Sequence, residues 1–129
     1  RAMEREVKAM RALQGAECVV QLQAFYLEGT SAYIVMEKCT EGVLATLERE
    51  DELTEDTLAG LLRNMLRGVS ACHSAGVVHR DVKLDNFLIS RDGASSEMKV
   101  KLCDFGFAAS LSSPGALELT GVFGTPPYM

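Results

Sequence analysis

The chain has 129 residues, 47% hydrophobic and 24% charged, with three prolines and a formal net charge of -5. That composition supports one packed domain and excludes disordered, collagen-like and low-complexity chains. The 13 basic residues are scattered, which argues against nucleic acid as a partner, and no apolar run approaches the roughly 20 residues of a bilayer-spanning helix.

From the N-terminus, Met3, Val7, Met10 and Leu13 recur at three- and four-residue spacing and predict a helix that Gly15 closes. Cys18 to Tyr26 is β-branched and aromatic, and Ala32 to Met36 is a short apolar run. With a turn at 28–31 they predict an antiparallel hairpin. Polar and glycine residues at 37–42 mark a boundary between two subdomains, and 43–50 predicts a short helix. Glu48 to Asp56 carries six acids against one arginine and reads as a solvated surface segment. Thr54 is a helix N-cap, with Glu55 and Asp56 placed at the positive end of the dipole. Leu58, Leu61, Leu62, Met65, Leu66, Val69 and Cys72 form the apolar stripe of a long core helix ended by Gly76. Short strands are expected at 77–78, 87–89 and 100–103. The chain opens inside a helical pattern without a methionine or a signal-peptide pattern, and ends in a turn. It therefore reads as a piece of a longer domain. Cys18, Cys39, Cys72 and Cys103 are widely spaced and form no Cys-x-x-Cys pair. This argues against a zinc ribbon and predicts reduced, mostly buried thiols in an intracellular, cytoplasmic protein.

The chemistry concentrates in two polar islands between apolar strand fragments. The first is His79-Arg80-Asp81-Val82-Lys83-Leu84-Asp85-Asn86, and the second is Asp104-Phe105-Gly106. Asn86 and Asp104 are hard oxygen donors of the kind Mg²⁺ prefers. An aspartate can accept a hydroxyl proton while a lysine two residues on neutralises a transferring phosphoryl group. These residue types predict a phosphoryl-transfer site with Asp81 as base, Lys83 as electrophilic helper, and metal held by Asn86 and Asp104.

The run HRDVKLDNFLI, then DFG, then GTPPYM resembles the catalytic loop and activation segment of eukaryotic serine/threonine protein kinases. DFG alone would be weak, but these motifs in this order and spacing are specific, and the resemblance covers the whole chain. It implies an α+β fold, part of the kinase-like two-lobe architecture. Residues 1–36 would end the small β-rich lobe, 37–42 would form the hinge, and 43–129 would begin the helical large lobe. It also implies ATP and Mg²⁺ as cofactors and a protein serine or threonine hydroxyl as acceptor, a choice that Lys83 and Thr125 favour over tyrosine.

Residue by residue, the resemblance makes Asp81 the catalytic base, with Lys83, Asn86 and Thr125 beside it, and Asp104 the main Mg²⁺ ligand. Met36 matches the gatekeeper, the backbone of Glu37 to Cys39 the adenine-binding hinge, and Leu88 the apolar floor under adenine. Glu6 matches the glutamate of the small-lobe helix, with Glu4 the second candidate. Met10, Leu22, His79 and Phe105 match the stacked column linking the lobes, and Phe105 and Gly106 belong to the regulatory DFG. Arg80 would pair with a phosphate on the activation segment. Ser110, Ser112, Ser113 and Thr120 lie in that segment, and Thr120 is preferred although it stands one residue further from Gly124 than the family's usual position. Phe87 and the polar insertion at 90–99 lean toward the calcium/calmodulin-dependent or calcium-dependent kinases, whereas Val43 replaces that group's ribose-contacting acid. Asp85 points to a basic substrate. Cys103 reads as a small buried hydrophobe, with a reactive thiol as the minor alternative. The family's glycine-rich loop and strand lysine would precede Arg1, so residues 1–129 alone are expected to be inactive and unstable. A pseudokinase scaffold and a small-molecule kinase of related fold are the competing functional readings.

Overall fold

The computed structural model describes residues 2–49, 54–91, 98–111 and 121–127. Helix α1 (Ala2–Ala12) turns Val7, Ala9 and Met10 inward, with Leu13 buried just beyond its end, and leaves Glu4, Arg5, Lys8 and Arg11 outside. Strands β1 (Leu22–Glu28) and β2 (Ser31–Met36) form an antiparallel hairpin, its register running from Leu22↔Met36 to Glu28↔Ser31 with an irregularity between Leu22 and Ala24. The turn is tighter than the sequence implied, and the first strand starts later. Cys18 to Val20 runs instead beside Leu102: the Leu102 N–H donates to Cys18 O at 2.9 Å and the Val20 N–H to Leu102 O at 3.0 Å. The apolar side chains of Val19 and Val20 are buried there, so this segment packs into the core rather than joining the hairpin.

Strand β3 (Glu41–Gly42) and helix α2 (Val43–Arg49) lead to the long helix α3 (Glu55–Ser74). Thr54 caps α3 as expected, its Oγ1 accepting the Thr57 N–H at 3.2 Å. Gly76 (φ 67°) supplies the left-handed residue just past the helix end. Strand β4 (Val77–Val78) follows, and a 3₁₀ turn at Leu84–Asn86 leads into β5 (Phe87–Arg91), β6 (Met98–Leu102) and β7 (Ala109–Ser110). One antiparallel sheet has the order β3-β5-β6, with Phe87↔Leu102 and Leu88↔Lys101 in register. A second pairs Val77 with Ser110. The two ends of the insertion at 90–99 join the sheet: Ser90 pairs with Lys99 and Arg91 with Met98, extending the ladder beyond the expected ends.

The core gathers Val19, Val43, Leu61, Cys72, Phe87, Ile89, Val100, Leu102 and Phe105. Helix α3 reaches β6 at Gly68, where a Cβ would stand 3.1 Å from Cys18 O and 3.2 Å from Leu102 Cβ. The α3 stripe read as one core face divides in two. Leu61 and Cys72 are buried, with Met65 and Val69 packed against them, while Leu58, Leu62 and Leu66 are exposed. All four cysteines are free thiols and only Cys72 is fully buried. Among the described residues no helix is long and apolar enough to cross a membrane.

Candidate active site

Two strand ends meet at the site: the connection after β4 and the loop after β6. His79, 2% exposed, lies under Phe105 with ring centroids 5.0 Å apart and planes at 64°. Its Nδ1 accepts the Asp81 N–H at 3.3 Å, and its Nε2 lies 2.9 Å from Cys103 O. A backbone N–H can only donate, so the proton sits on Nε2, which donates to Cys103. Burial lowers the His79 pKa, only partly countered by that carbonyl and by Asp104 and Asp81, which keeps the ring neutral. A neutral histidine held by two hydrogen bonds is a positioning element. The next residue, Arg80, has a left-handed backbone (φ 66°), a conformation that costs a non-glycine residue about 1 kcal/mol. That bend delivers Asp81 to the site.

Asp81 is 5% exposed, yet both carboxylate oxygens are partnered. Thr125 Oγ1 donates to Oδ1 at 2.6 Å, and Lys83 Nζ lies 3.0 Å from Oδ2. Asn86 Nδ2 donates to Oδ2 at 3.2 Å and to the Asp81 backbone carbonyl at 2.8 Å. Lys83 Nζ also donates to Thr125 Oγ1 at 2.7 Å, closing a triangle between residues more than forty positions apart. Burial works to raise the Asp81 pKa, but the bonds from Thr125, Lys83 and Asn86 outweigh it and hold the carboxyl below its ordinary value. Lys83 is raised in turn, first by its bond to Asp81. The result is a carboxylate kept ionised with a cation and a hydroxyl fixed on it. Such a group can take a proton from an alcohol while the lysine steadies nearby negative charge. No buried side-chain polar atom among the described residues lacks a partner.

Asn86 gives its amide nitrogen to Asp81, which leaves the carbonyl oxygen for another ligand. Asp104 is solvent-exposed, with Oδ1 accepting the Gly106 N–H at 3.3 Å. Its backbone is also left-handed (φ 61°), and the Cys103 N–H donates to Asn86 O at 2.9 Å, tying the two loops together. One amide and one carboxylate oxygen fit a Mg²⁺ ion that retains waters. Glu6 on α1 feels this site. Burial raises its pKa first and the negative charge of Asp104 raises it further, and no described cation pairs with it. Glu4 is exposed, and Glu6, the preferred candidate, is half-buried. Met10 and Phe105 belong to one buried cluster, Leu22 packs against that cluster, and His79 meets the Phe105 ring.

Met36 ends β2 with an exposed side chain, Cys39 is half-buried in the connection that follows, and Leu88 is half-buried on the central strand β5. Sequence reading missed the group that fixes this segment. Lys101, only 7% exposed on β6, places Nζ 2.8 and 3.0 Å from the two Glu37 carboxylate oxygens. Glu37 Oε1 also accepts the Gln21 N–H at 2.8 Å, and the Glu37 N–H donates to Gln21 O at 3.0 Å. The available signal was a lysine at a buried strand position in Val100-Lys101-Leu102, which requires a partner. Burial, then Asp104 and Cys39, push the Cys103 thiol up to about 11, which keeps it protonated at neutral pH. Arg80 reaches the activation segment, its Nε donating to Phe107 O at 2.6 Å. Ser110 lies in β7, and Ser112, Ser113 and Thr120 fall outside the described residues.

Residues 1–129 match the family model for the protein kinase domain. This chain belongs to the protein kinase family. The mixed helices and strands are accordingly part of the two-lobe kinase fold. The chain is 33% identical to the serine/threonine-protein kinase KIC1 of Saccharomyces cerevisiae, over 98% of its own length and 11% of that relative. It is 36% identical to the human serine/threonine-protein kinase PAK 4, over 96% of this chain and 20% of the relative. It is 34% identical to calcium-dependent protein kinase 27 of Oryza sativa subsp. japonica, over 98% of this chain and 20% of the relative. The chain thus spans a fifth or less of the length of these three relatives.

Proposed function

We propose that the protein is a serine/threonine kinase that transfers the γ-phosphoryl group of Mg-ATP to a protein hydroxyl. The observation that carries this reading is the buried Asp81 carboxylate with Thr125, Lys83 and Asn86 fixed on it. The acceptor hydroxyl would give its proton to Asp81 as its oxygen bonds the phosphorus and the bond to the ADP oxygen breaks. Lys83 would steady the charge on the transferring group, and Thr125 would hold both side chains in place. Asn86 and Asp104 would hold the metal. The bound Mg-ATP would supply the phosphoryl group and the counter-charge that stabilises it. Met36, the Glu37–Cys39 backbone and Leu88 would line the adenine site, with 37–42 as a hinge between residues 1–36 and 43–129. Residues 1–129 hold no glycine-rich phosphate loop, so on this reading they are inactive alone.

Asp85 on the 3₁₀ turn is exposed and supports a preference for basic substrates. The rice relative's name agrees with a lean toward the calcium-dependent group, but KIC1 and PAK 4 are similar to the same degree, so similarity alone assigns no group. The test is phosphate transfer from Mg-ATP to myelin basic protein by the full-length protein. Asp81→Asn should lower kcat by about 10³-fold, the middle of the range for losing a positioned general base. Equal, background-level transfer by wild type and Asp81→Asn would replace this reading with the pseudokinase one.

A further inference from the structure

The resemblance gave Arg80 to a phosphate on the activation segment, yet the structure already occupies it. Its Nε donates to Phe107 O at 2.6 Å, and its Cζ lies 3.7 Å from the centroid of the Phe123 ring, a close cation–π contact. Phe107 lies alongside, 6.4 Å from Phe123 and tilted by 53°. The other wall is residue 121. Gly121 has φ 99°, and a Cβ there would come 2.6 Å from Phe123 Cε2 and 3.1 Å from Cζ, so only a residue without a side chain leaves room for the ring. Gly121 also stands one residue nearer Gly124 than Thr120 does, the position where the family usually carries its phosphate acceptor. It has no hydroxyl. The charge at Arg80 has Arg5 of α1 as a like-charged neighbour, and an electron-rich ring face offers it a partner without an anion.

The contact is placed to matter. Arg80 and Asp81 are adjacent in the chain, and Phe123 and Thr125 are two residues apart. The Arg80–Phe123 and Asp81–Thr125 contacts are therefore two neighbouring ties between the same two segments. We propose that Phe123 is a positioning residue whose ring, seated against Gly121, holds Arg80 and so keeps Thr125 on Asp81 without a phosphate on the activation segment. This rests on the kinase reading above and adds that the activity does not depend on phosphorylation of that segment.

The test uses the full-length protein, stripped of phosphate by phosphatase and checked by mass spectrometry, with Mg-ATP and myelin basic protein. Dephosphorylated wild type should keep at least about half its activity. Phe123→Leu should lower kcat about tenfold with KM for ATP within about twofold, and Phe123→Tyr, which keeps a ring face, should restore it. Gly121→Val, which keeps the ring and fills its seat, should behave like Phe123→Leu. A second readout is labelling of Arg80 by phenylglyoxal, followed by peptide mass spectrometry. Arg80 should be protected in wild type and Phe123→Tyr and labelled readily in Phe123→Leu. Loss of activity on dephosphorylation, or a Phe123→Leu protein matching wild type in kcat and in labelling, overturns the proposal. Should wild type transfer no more phosphate than Asp81→Asn, the kinase reading fails, and labelling alone decides. Equal labelling in all variants then defeats the Phe123 contact, and the protection pattern above upholds it.

Discussion

The catalytic loop and the β1–β2 hairpin are built on opposite plans. Around Asp81, polar groups are buried and each is tied to another side chain: Thr125, Lys83, Asn86 and the backbone around His79 leave little freedom for any atom. In the hairpin the backbone ladder is nearly complete, but large side chains face outward. Tyr26 and Tyr33 form an exposed rung, Tyr33 at 51% and Leu27 beyond it at 74%, and both partners are half-buried only at the Phe25–Ile34 rung. A ladder fixes register, and a network of side chains fixes atoms. A region proposed to do chemistry needs the second kind of order. The hairpin, with the first kind alone, should tolerate change unless a further surface covers it.

The sharpest test of that contrast lies beside the site. Leu102 is fully buried where α3 meets β6, and its backbone is bonded to Cys18 and Val20. Leu102→Ala should cost about 3 kcal/mol, because the rigid approach at Gly68 prevents the cavity from closing. Urea unfolding of the full-length protein would read it, and a loss below about 1 kcal/mol would show that the core there is loose. Next in size is the Glu37–Lys101 pair. Lys101→Met leaves Glu37 with the Gln21 N–H as its described partner and should cost about 2 kcal/mol. Glu37→Met combined with Lys101→Met should cost less than Lys101→Met alone, since no charge then remains to be desolvated. A simple sum of the two single effects would mean that the pair is not coupled.

The segments that were legible in the sequence are those where a local rule was sufficient. Thr54 announced its cap, the α1 spacing announced the buried Val7, Met10 and Leu13 although Met3 is exposed, and the order HRD, Asn86, DFG and Thr125 announced the site. Misreadings arose where tertiary contact overrode a local signal. Cys18 to Val20 has strand composition but packs beside Leu102. The α3 stripe looks continuous on a linear pattern, but only one side of it meets β6. Strand β7 was missed because Ala109-Ser110 carries no strand signal, and it exists through pairing with Val77-Val78, with the adjacent Leu111 N–H on Gly76 O at 2.8 Å. Lys101 and Phe123 were missed for a related reason. Each takes its meaning from a partner far away in sequence, and one chain read alone shows no distances.

A smaller effect probes the network's charge rather than its packing. The Asp81 carboxyl sits below its ordinary value because bonds from Thr125, Lys83 and Asn86 outweigh burial. The ionised form is therefore present at neutral pH and is lost only as pH falls through that depressed value. Thr125→Ala removes one of the bonds, so the carboxyl should rise toward its ordinary value. The acid limb of kcat/KM should move to higher pH, with kcat at pH 7 reduced about tenfold. An unchanged acid limb would assign that limb to another group.

The smallest expected effect completes the contrast. Tyr33 lies opposite Tyr26 on the outward face of the hairpin, and neither ring takes part in an aromatic contact among the described residues. Tyr33→Thr keeps a β-former on the ladder and removes an exposed ring, so it should change unfolding free energy by no more than about 0.5 kcal/mol. The same substitution separates a free face from a covered one. If the full-length protein loses more than about 2 kcal/mol, the ring is buried there by another part of the protein, at a cost fitting the burial of a large apolar side chain. The hairpin would then share the catalytic loop's plan, with its partner lying outside residues 1–129.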